Sequence, residues 1–205
     1  MRLPAHITTG LTAASLCLLG ACASSPVHYY TLVPPATHEE TVRTPAPFVI
    51  DVLPVGIPAG LDQQQMVVRT DTSSLQVLDD ERWNAPLGDE LRSALSAALS
   101  RRLGTQDVAG LPRPANRKVL GIRVQIRQFD ARPARDAQLV ADWSLGATPS
   151  GGSTRVTCHT QLQVAAPGSY PELVQAQQRL VGELADEIAR AANDAGMRSQ
   201  YGCPD

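Results

Sequence analysis

The residues best suited to do chemistry in this sequence lie close to its amino terminus. Cys22 directly follows two small residues, residues 11–19 before them form a short and mostly apolar run, and Arg2 supplies a positive charge ahead of that run. This layout is typical of a secretory signal, and the run is too short to span a bilayer. A cysteine at the cleavage point can take a diacylglyceryl group on its thiol. The pattern predicts a lipoprotein signal peptide at residues 1–21 and lipidation of Cys22; plain Ala-x-Ala-type cleavage beside an unrelated cysteine is the alternative.

The residues after Cys22 predict which membrane holds the anchor. In enterobacteria an aspartate directly after the lipidated cysteine retains a lipoprotein in the inner membrane, and Ala23 occupies that position here. The sequence therefore predicts an outer-membrane lipoprotein that faces the periplasm. Each buried methylene contributes about 0.8 kcal/mol, so two or three acyl chains would attach the protein permanently. Residues 22–27 form the predicted lipidated tether, in which residues 23–27 span at most about 17 Å when fully extended, and residues 28–205 form the predicted domain.

Two further cysteines would remain in the mature chain. Cys17 leaves with the predicted signal peptide and Cys22 carries lipid, so Cys158 and Cys203 are left. In an oxidising periplasm two such cysteines most simply form a disulfide bond, and two unpaired thiols are the alternative. A bond would tie the carboxyl-terminal tail to the strand that contains Cys158.

Composition excludes several classes of partner. A hydrophobic fraction of 43% and a net charge of -2 describe an ordinary globular chain, and its basic residues are scattered. Nucleic acid binding needs a basic stripe and anionic lipid binding needs a polybasic patch, and the sequence has neither. Aromatic residues make up 4% of the chain, too few for a platform on which bases or sugars stack. We therefore expect no nucleic acid partner.

The sequence also lacks the motifs of the common catalytic and metal centres. It contains no His-Glu-x-x-His, no Gly-x-Ser-x-Gly and no phosphate-binding loop. His28, His38 and His159 are widely separated. Residues 79–81 are acidic, but a hard-cation loop places its ligands at alternate positions around a glycine, so we interpret them as a solvated turn. We predict no catalytic residue, no metal and no cofactor.

Hydrophobic periodicity predicts the secondary structure. Apolar residues at three- and four-residue spacing predict a helix from Leu87 to Leu103 that ends at Gly104, and a long last helix from Pro171 to Gly196 with Ser169 as its cap. Strands are predicted at residues 28–33, 48–55, 66–69, 75–78, 119–129, 137–146 and 154–165. This order predicts a single α/β domain in which two main helices pack on a mixed, largely antiparallel sheet.

One loop and two tryptophans are candidates for a binding surface. Residues 54–61 form a turn-rich connection that nevertheless carries Ile57 and Leu61, and Trp83 precedes the first helix. Exposed apolar loops often mark partner surfaces. The alternative is that these side chains, with Trp143, simply close the core. The predicted partner or subunit interface comprises Ile57, Pro58, Leu61, Arg69 and Trp83.

Several motifs occur in an order that resembles one family. After the lipidation site come residues 29–32, 52–62, 67–69, 83–87, 128–130 and 141–143, and then the long last helix. The chain resembles the auxiliary lipoproteins of ABC-type transport systems, of the paraquat-inducible protein C (PqiC) or YmbA-like type. Each motif is weak alone, but their order and spacing extend over nearly all of the mature chain.

The resemblance implies a fold, a location and a partner. Its members are similar to the anticodon-binding or TolB amino-terminal arrangement of one α/β domain. It implies an outer-membrane anchor and a non-catalytic role in docking an MCE-domain protein, whose tubes or rings move lipids between the two membranes. A homo-oligomer would suit such a partner, because a tube of rings presents a cyclic surface.

Two other hypotheses stay open at this point. One is a stand-alone outer-membrane lipoprotein that binds a small ligand or peptidoglycan, which requires a polar pocket inside one subunit. The other is a hydrolase, which requires a nucleophile beside a base.

Overall fold

The computed structural model describes residues 25–35, 45–148, 156–198 and Cys203. Within these ranges the strands are β1 (His28–Tyr30), β2 (Phe48–Val52), β3 (Gln65–Arg69), β4 (Leu75–Trp83), β5 (Lys118–Arg132), β6 (Arg135–Thr148) and β7 (Val156–Ala166). The helices are α1 (Leu87–Leu103) and α2 (Tyr170–Arg198), and a 3-10 turn covers Ala59–Leu61. The predicted signal peptide and Cys22 lie outside the described residues, as does the predicted turn at residues 149–152.

Helix α1 has the bounds that its apolar spacing predicts. Its buried apolar stripe is Leu87, Leu91, Ala94, Leu95, Ala98, Leu99 and Leu103. Gly104 adopts the left-handed conformation, with φ 56° and ψ 39°, and its N–H donates to the carbonyls of Ser100 and Arg101. A residue without Cβ takes this conformation at little cost, so Gly104 ends the helix as predicted.

Helix α2 begins at its predicted cap and ends later than predicted. The Ser169 N–H donates to Glu172 Oε2 at 2.6 Å, one half of a capping box. The prediction that Gly196 closes the helix is wrong, because α2 continues to Arg198; a single glycine costs a helix about 1 kcal/mol and does not by itself end it. Among the described residues, no helix combines the length and the apolar character needed to cross a membrane.

The smaller sheet has the strand order β1-β4-β3. Strand β1 lies parallel to β4, with His28 beside Glu81 and Tyr30 beside Trp83. Strands β3 and β4 form the predicted antiparallel hairpin, with Arg69 opposite Leu75. Because β1 pairs only with the last three residues of β4, the hairpin projects well beyond β1.

The larger sheet has the strand order β2-β5-β6-β7, parallel between β2 and β5 and antiparallel elsewhere. Burial alternates along β6 and β7: Trp143 and Leu145 of β6 are buried, whereas Gln161 and Gln163 of β7 are exposed. One face of this sheet therefore meets solvent, as the alternating polar residues predict.

The buried faces of both sheets and both helices contribute to one core cluster. The predicted single α/β domain with two main helices is confirmed, although the strands form two mixed sheets and not the one sheet that was expected. The strands divide between two sheets because β1 and β3 flank β4, whereas β2 pairs with β5.

Candidate functional site

The β2–β3 loop, residues 53–62, continues β2 along β5 before it turns away. The Leu53 N–H donates to the Ile122 carbonyl at 3.0 Å, and the Gly56 N–H donates to the Val124 carbonyl at 3.0 Å. The Ile126 N–H in turn donates to the Gly56 carbonyl at 2.8 Å. These bonds fix the first half of the loop to the sheet.

The second half of the β2–β3 loop packs on the start of α1. A Cβ added to Gly88 would lie 3.8 Å from Ile57 Cδ1 and 3.4 Å from Asp62 Oδ1. Ile57 and Leu61 are partly buried and pack against the core, whereas Gly60 faces open space, with nothing within 4 Å of an added Cβ. The loop is thus a fixed structure with an exposed tip, and its apolar side chains are shared between core and surface.

The structure places Trp83 in the core rather than on the surface. Its side chain is 2% exposed, and Trp143 is 1% exposed. The Trp83 backbone N–H donates to the Gln64 carbonyl at 2.7 Å, just after the β2–β3 loop. Both tryptophans therefore belong to the core, and the backbone of Trp83 binds the chain just after the β2–β3 loop.

Arg69 joins the two sheets. Its Nε donates to Asp130 Oδ2 at 2.6 Å and its Nη2 to Asp130 Oδ1 at 3.1 Å, a bidentate pair between β3 and β5. A third donor, Nη1, reaches the Thr72 carbonyl in the hairpin turn at 3.3 Å. The hydrogen bond to Asp130 raises the pKa of Arg69. The guanidinium is therefore occupied by contacts within the domain.

Glu90 is a structural residue that sequence reasoning missed. Its side chain is 4% exposed, and its Oε2 accepts from Thr31 Oγ1 and from the Leu32 N–H, each at 2.8 Å. These bonds attach the segment after β1 to α1. An acidic residue in the first turn of a helix usually signals only a favourable interaction with the helix dipole, so nothing in the local sequence indicates this contact.

Tyr30, at the end of β1, makes the stability of the domain depend on pH. Burial and, after it, the neighbouring Glu81 carboxylate raise the pKa of Tyr30 from 10.0 to about 12. Because the folded state favours the neutral phenol, this contribution is complete below pH 10 and is lost as the pH rises towards 12. In urea unfolding we expect the free energy of unfolding to fall between pH 10 and pH 12, and we expect a smaller fall in Tyr30→Phe. The same fall in Tyr30→Phe as in the wild type would contradict the role of Tyr30.

His159 has an acidic neighbour on the solvent face of the larger sheet. Its Nδ1 lies 2.8 Å from Asp142 Oδ1, and Arg127 Nε donates to Asp142 Oδ2 at 2.7 Å. The hydrogen bonds from His159 and then Arg127 lower the pKa of Asp142. A catalytic triad also requires a nucleophile at the second ring nitrogen, and within the described residues the side-chain hydrogen bond of His159 is the one with Asp142. The described residues include no group of three or more side chains arranged to hold a metal ion.

A groove of about 390 Å³ lies between α1 and α2. Its floor is apolar, with Leu32, Ala94 and Val181, and its rim carries Arg102 and Arg179. Arg102 forms a bidentate pair with Asp186 of α2, so it serves helix packing. The groove is a surface on which an amphipathic group could rest.

Cys158 and Cys203 form a disulfide bond in the structure, with their Cα atoms 5.5 Å apart. Cys158 lies in β7 and is 4% exposed. The bond attaches the tail that follows α2 to the larger sheet. Cys22, the predicted lipidation site, lies outside the described residues.

The comparison with protein families decides the assignment. The sequence model of the ABC-type transport auxiliary lipoprotein component matches residues 30–189. The chain belongs to this family. The match covers every strand from β2 to β7 and both helices except the end of α2, so the resemblance stated from the motifs is confirmed. Membership identifies the protein as an auxiliary lipoprotein component of ABC-type transport.

Solved structures show the same fold. The crystal structure of an uncharacterized protein aligns with a TM-score of 0.63 at 21% identity, over 81% of this chain and 98% of that chain. That of a DUF330 protein from Xanthomonas campestris aligns with a TM-score of 0.63 at 13% identity, over 84% of this chain and 98% of that chain. No curated protein matches the sequence.

Proposed function

We propose that the protein is a non-catalytic accessory lipoprotein of an MCE-type intermembrane lipid transport system, anchored in the outer membrane through Cys22. It docks the periplasmic MCE-domain component. The observation that carries this proposal is the β2–β3 loop: its backbone is bonded to β5 and its tip is exposed. A fixed, partly apolar loop suits docking because little conformational entropy is lost when it binds.

The polar groups of the domain support a role in binding rather than catalysis. Arg69 pairs with Asp130, Arg102 with Asp186, and Arg132 with Asp136. Each pair connects strands or helices of the same domain. Shape and surface are then the means by which the domain acts, and a homo-oligomer would repeat the β2–β3 loop around a cyclic partner.

Gly60→Arg tests the docking surface. The open space around Gly60 admits a large side chain without a clash, so the variant should fold normally and place a charge at the centre of the proposed contact. We expect loss of co-purification with the MCE-domain protein and an unchanged melting temperature.

Ala115→Arg is the matched control. Ala115 is exposed and precedes β5, whereas the β2–β3 loop follows β2, so the two lie at opposite ends of the parallel β2–β5 pair. The control should retain the partner. If both variants retain the MCE-domain protein equally, docking through this loop is refuted.

The anchor has its own test. We expect Cys22→Ala to be released from the outer membrane.

The groove between α1 and α2 favours a second candidate function, a stand-alone outer-membrane lipoprotein that binds a small ligand or peptidoglycan. An apolar floor with an arginine rim suits an amphipathic anion. Arg179→Glu would reverse the charge at one of the three arginines that line the groove, with Arg101 and Arg102 unchanged. Two results together would favour this alternative: Arg179→Glu loses ligand binding, and neither the wild type nor any variant co-purifies with the MCE-domain protein.

A further inference from the structure

The exposed large apolar side chains of the described residues concentrate at one edge of the smaller sheet. Val27 and Tyr29 are 40% and 59% exposed, and Leu75 and Val77 are 56% and 49% exposed. The remaining one, Leu111, lies apart in the connection between α1 and β5. Single exposed apolar residues need no explanation, whereas a group of them on adjacent strands marks an interaction site.

These side chains lie on one face of the sheet. Leu75 and Val77 are two residues apart on β4 and share a face, because side chains alternate along a strand. Val77 pairs with Val67 and Arg82 pairs with Gln65, so the irregularity of β4 between Val77 and Arg82 brings these two residues to the same face. Tyr29 pairs with Arg82 and therefore shares that face. An exposed apolar face on a projecting hairpin suits contact with another apolar surface.

The direction of β1 shows where the chain comes from. Because β1 runs parallel to β4, the residues before His28 approach from the Leu75 end of β4. From Arg82, the neighbour of Tyr29, back to Leu75, β4 lies beside the four steps of β3 from Gln65 to Arg69, so the hairpin extends about 14 Å over this stretch. The hairpin then ends in the turn formed by residues 70–74, where the Thr70 N–H donates to the Ser74 carbonyl at 3.1 Å.

The tether places the anchor on the side of the hairpin tip. Six positions separate Cys22 from His28, so even a fully extended chain places Cys22 at most about 20 Å from His28. A bilayer that holds acyl chains on Cys22 therefore lies close to His28, on the side towards which the hairpin projects.

We propose that the tip of the β3–β4 hairpin, residues 70–77, contacts the lipid bilayer and that Leu75 and Val77 insert between its headgroups. This proposal rests on the lipid anchor of the proposed function. Arg69 holds the hairpin rigidly to β5 through Asp130, so contact at the tip fixes the orientation of the whole domain.

The orientation bears directly on docking. Strand β3 runs from Gln65 towards the tip at Arg69, and the β2–β3 loop lies before Gln65 at the other end. A membrane-bound tip therefore directs this loop away from the bilayer and towards the periplasm, where a partner would meet it.

The charges of the hairpin select the kind of lipid. Asp71 in the turn and Asp79 on β4 are exposed. Acidic groups are repelled by anionic headgroups, whereas basic clusters are attracted to them. The hairpin should therefore contact a zwitterionic surface, such as vesicles of phosphatidylethanolamine and phosphatidylcholine.

Fluorescent labels on the lipidated full-length protein test this contact. Leu75→Cys and Val77→Cys, each labelled with an environment-sensitive dye under non-reducing conditions, are compared with Leu111→Cys, whose side chain has a similar exposure of 53%. On zwitterionic vesicles we expect a blue shift and brighter emission at positions 75 and 77, quenching by lipids that carry a spin label near the headgroup, and no change at position 111.

Flotation with the vesicles separates failure of the anchor from failure of this proposal. Protein that does not float refutes lipid anchoring. Protein that floats while the labels at positions 75 and 77 stay in water refutes the hairpin contact alone. A blue shift already present before vesicles are added would show that a second protein molecule covers the tip, and that result also overturns the proposal.

Discussion

Loss of the bond between Cys158 and Cys203 is expected to lower the free energy of unfolding by about 3–4 kcal/mol. The two cysteines are 45 residues apart, and closing a loop of that length removes up to about 4 kcal/mol of chain entropy from the unfolded state. The loop contains the whole of α2, whose stripe from Leu173 to Ala191 is buried in the core. The bond therefore favours the docking of a helix that the larger sheet needs to cover its apolar face.

Thermal unfolding of Cys203→Ser measures this effect. Cys203 is exposed and Cys158 is buried, so substitution at 203 leaves the core intact. We expect a melting temperature lower by about 10 °C, since a domain of this size loses about 2–4 °C for each kcal/mol. Reductant should lower the wild-type melting temperature equally and leave Cys203→Ser unchanged. If Cys203→Ser has the same melting temperature as the oxidised wild type, the bond contributes no stability.

Arg69→Ala is expected to destabilise the domain by about 2–3 kcal/mol. The substitution leaves the carboxylate of Asp130, a residue that is 8% exposed, with the neutral amide of Gln128 as a side-chain donor in place of a charged partner. Removing one partner of a largely buried charge pair is costly because the other charge stays desolvated and uncompensated. The hairpin also loses its attachment to β5, so the membrane contact proposed for its tip should weaken.

Two variants serve as controls. One measures the effect of removing an arginine elsewhere, and the other removes the Asp130 charge that Arg69→Ala leaves without its partner. Arg127→Ala removes one partner of Asp142, but that pair is largely exposed, with side-chain exposures of 59% and 33%, so its loss should change the unfolding free energy much less than Arg69→Ala does. The double variant Arg69→Ala/Asp130→Ala should be more stable than Arg69→Ala alone. Equal effects at Arg69 and Arg127 in urea unfolding would contradict the structural role of Arg69.

Local patterns predicted most of the secondary structure. Helix α1 was placed from Leu87 to Leu103 because its apolar spacing, the proline before it and Gly104 after it all agree. The hairpin of β3 and β4 was also predicted, but β4 is longer than its apolar core suggested. Glu81 and Arg82 are polar and still belong to the strand because β1 pairs with both and β3 pairs with Arg82. Such pairing is not visible in the local sequence.

The candidate site was predicted only in part. Residues 54–61 were singled out because apolar side chains occur in a connection, and the structure shows that Ile57 and Leu61 are shared between core and surface. The contacts of Arg69 and Glu90 could not have been predicted, since Asp130 and Thr31 lie about 60 positions away in the chain. Long-range pairs of this kind leave no periodic signal.

The sequence alone predicted a lipoprotein, the α/β class and the family, because processing motifs, hydrophobic periods and motif order are properties of neighbouring residues. Only the tertiary structure decided that Trp83 is interior, that Arg69 binds Asp130, and that the β3–β4 hairpin projects in the direction from which the tether arrives. These features depend on which strands pair and in which register, and that choice is made by contacts between residues far apart in the chain.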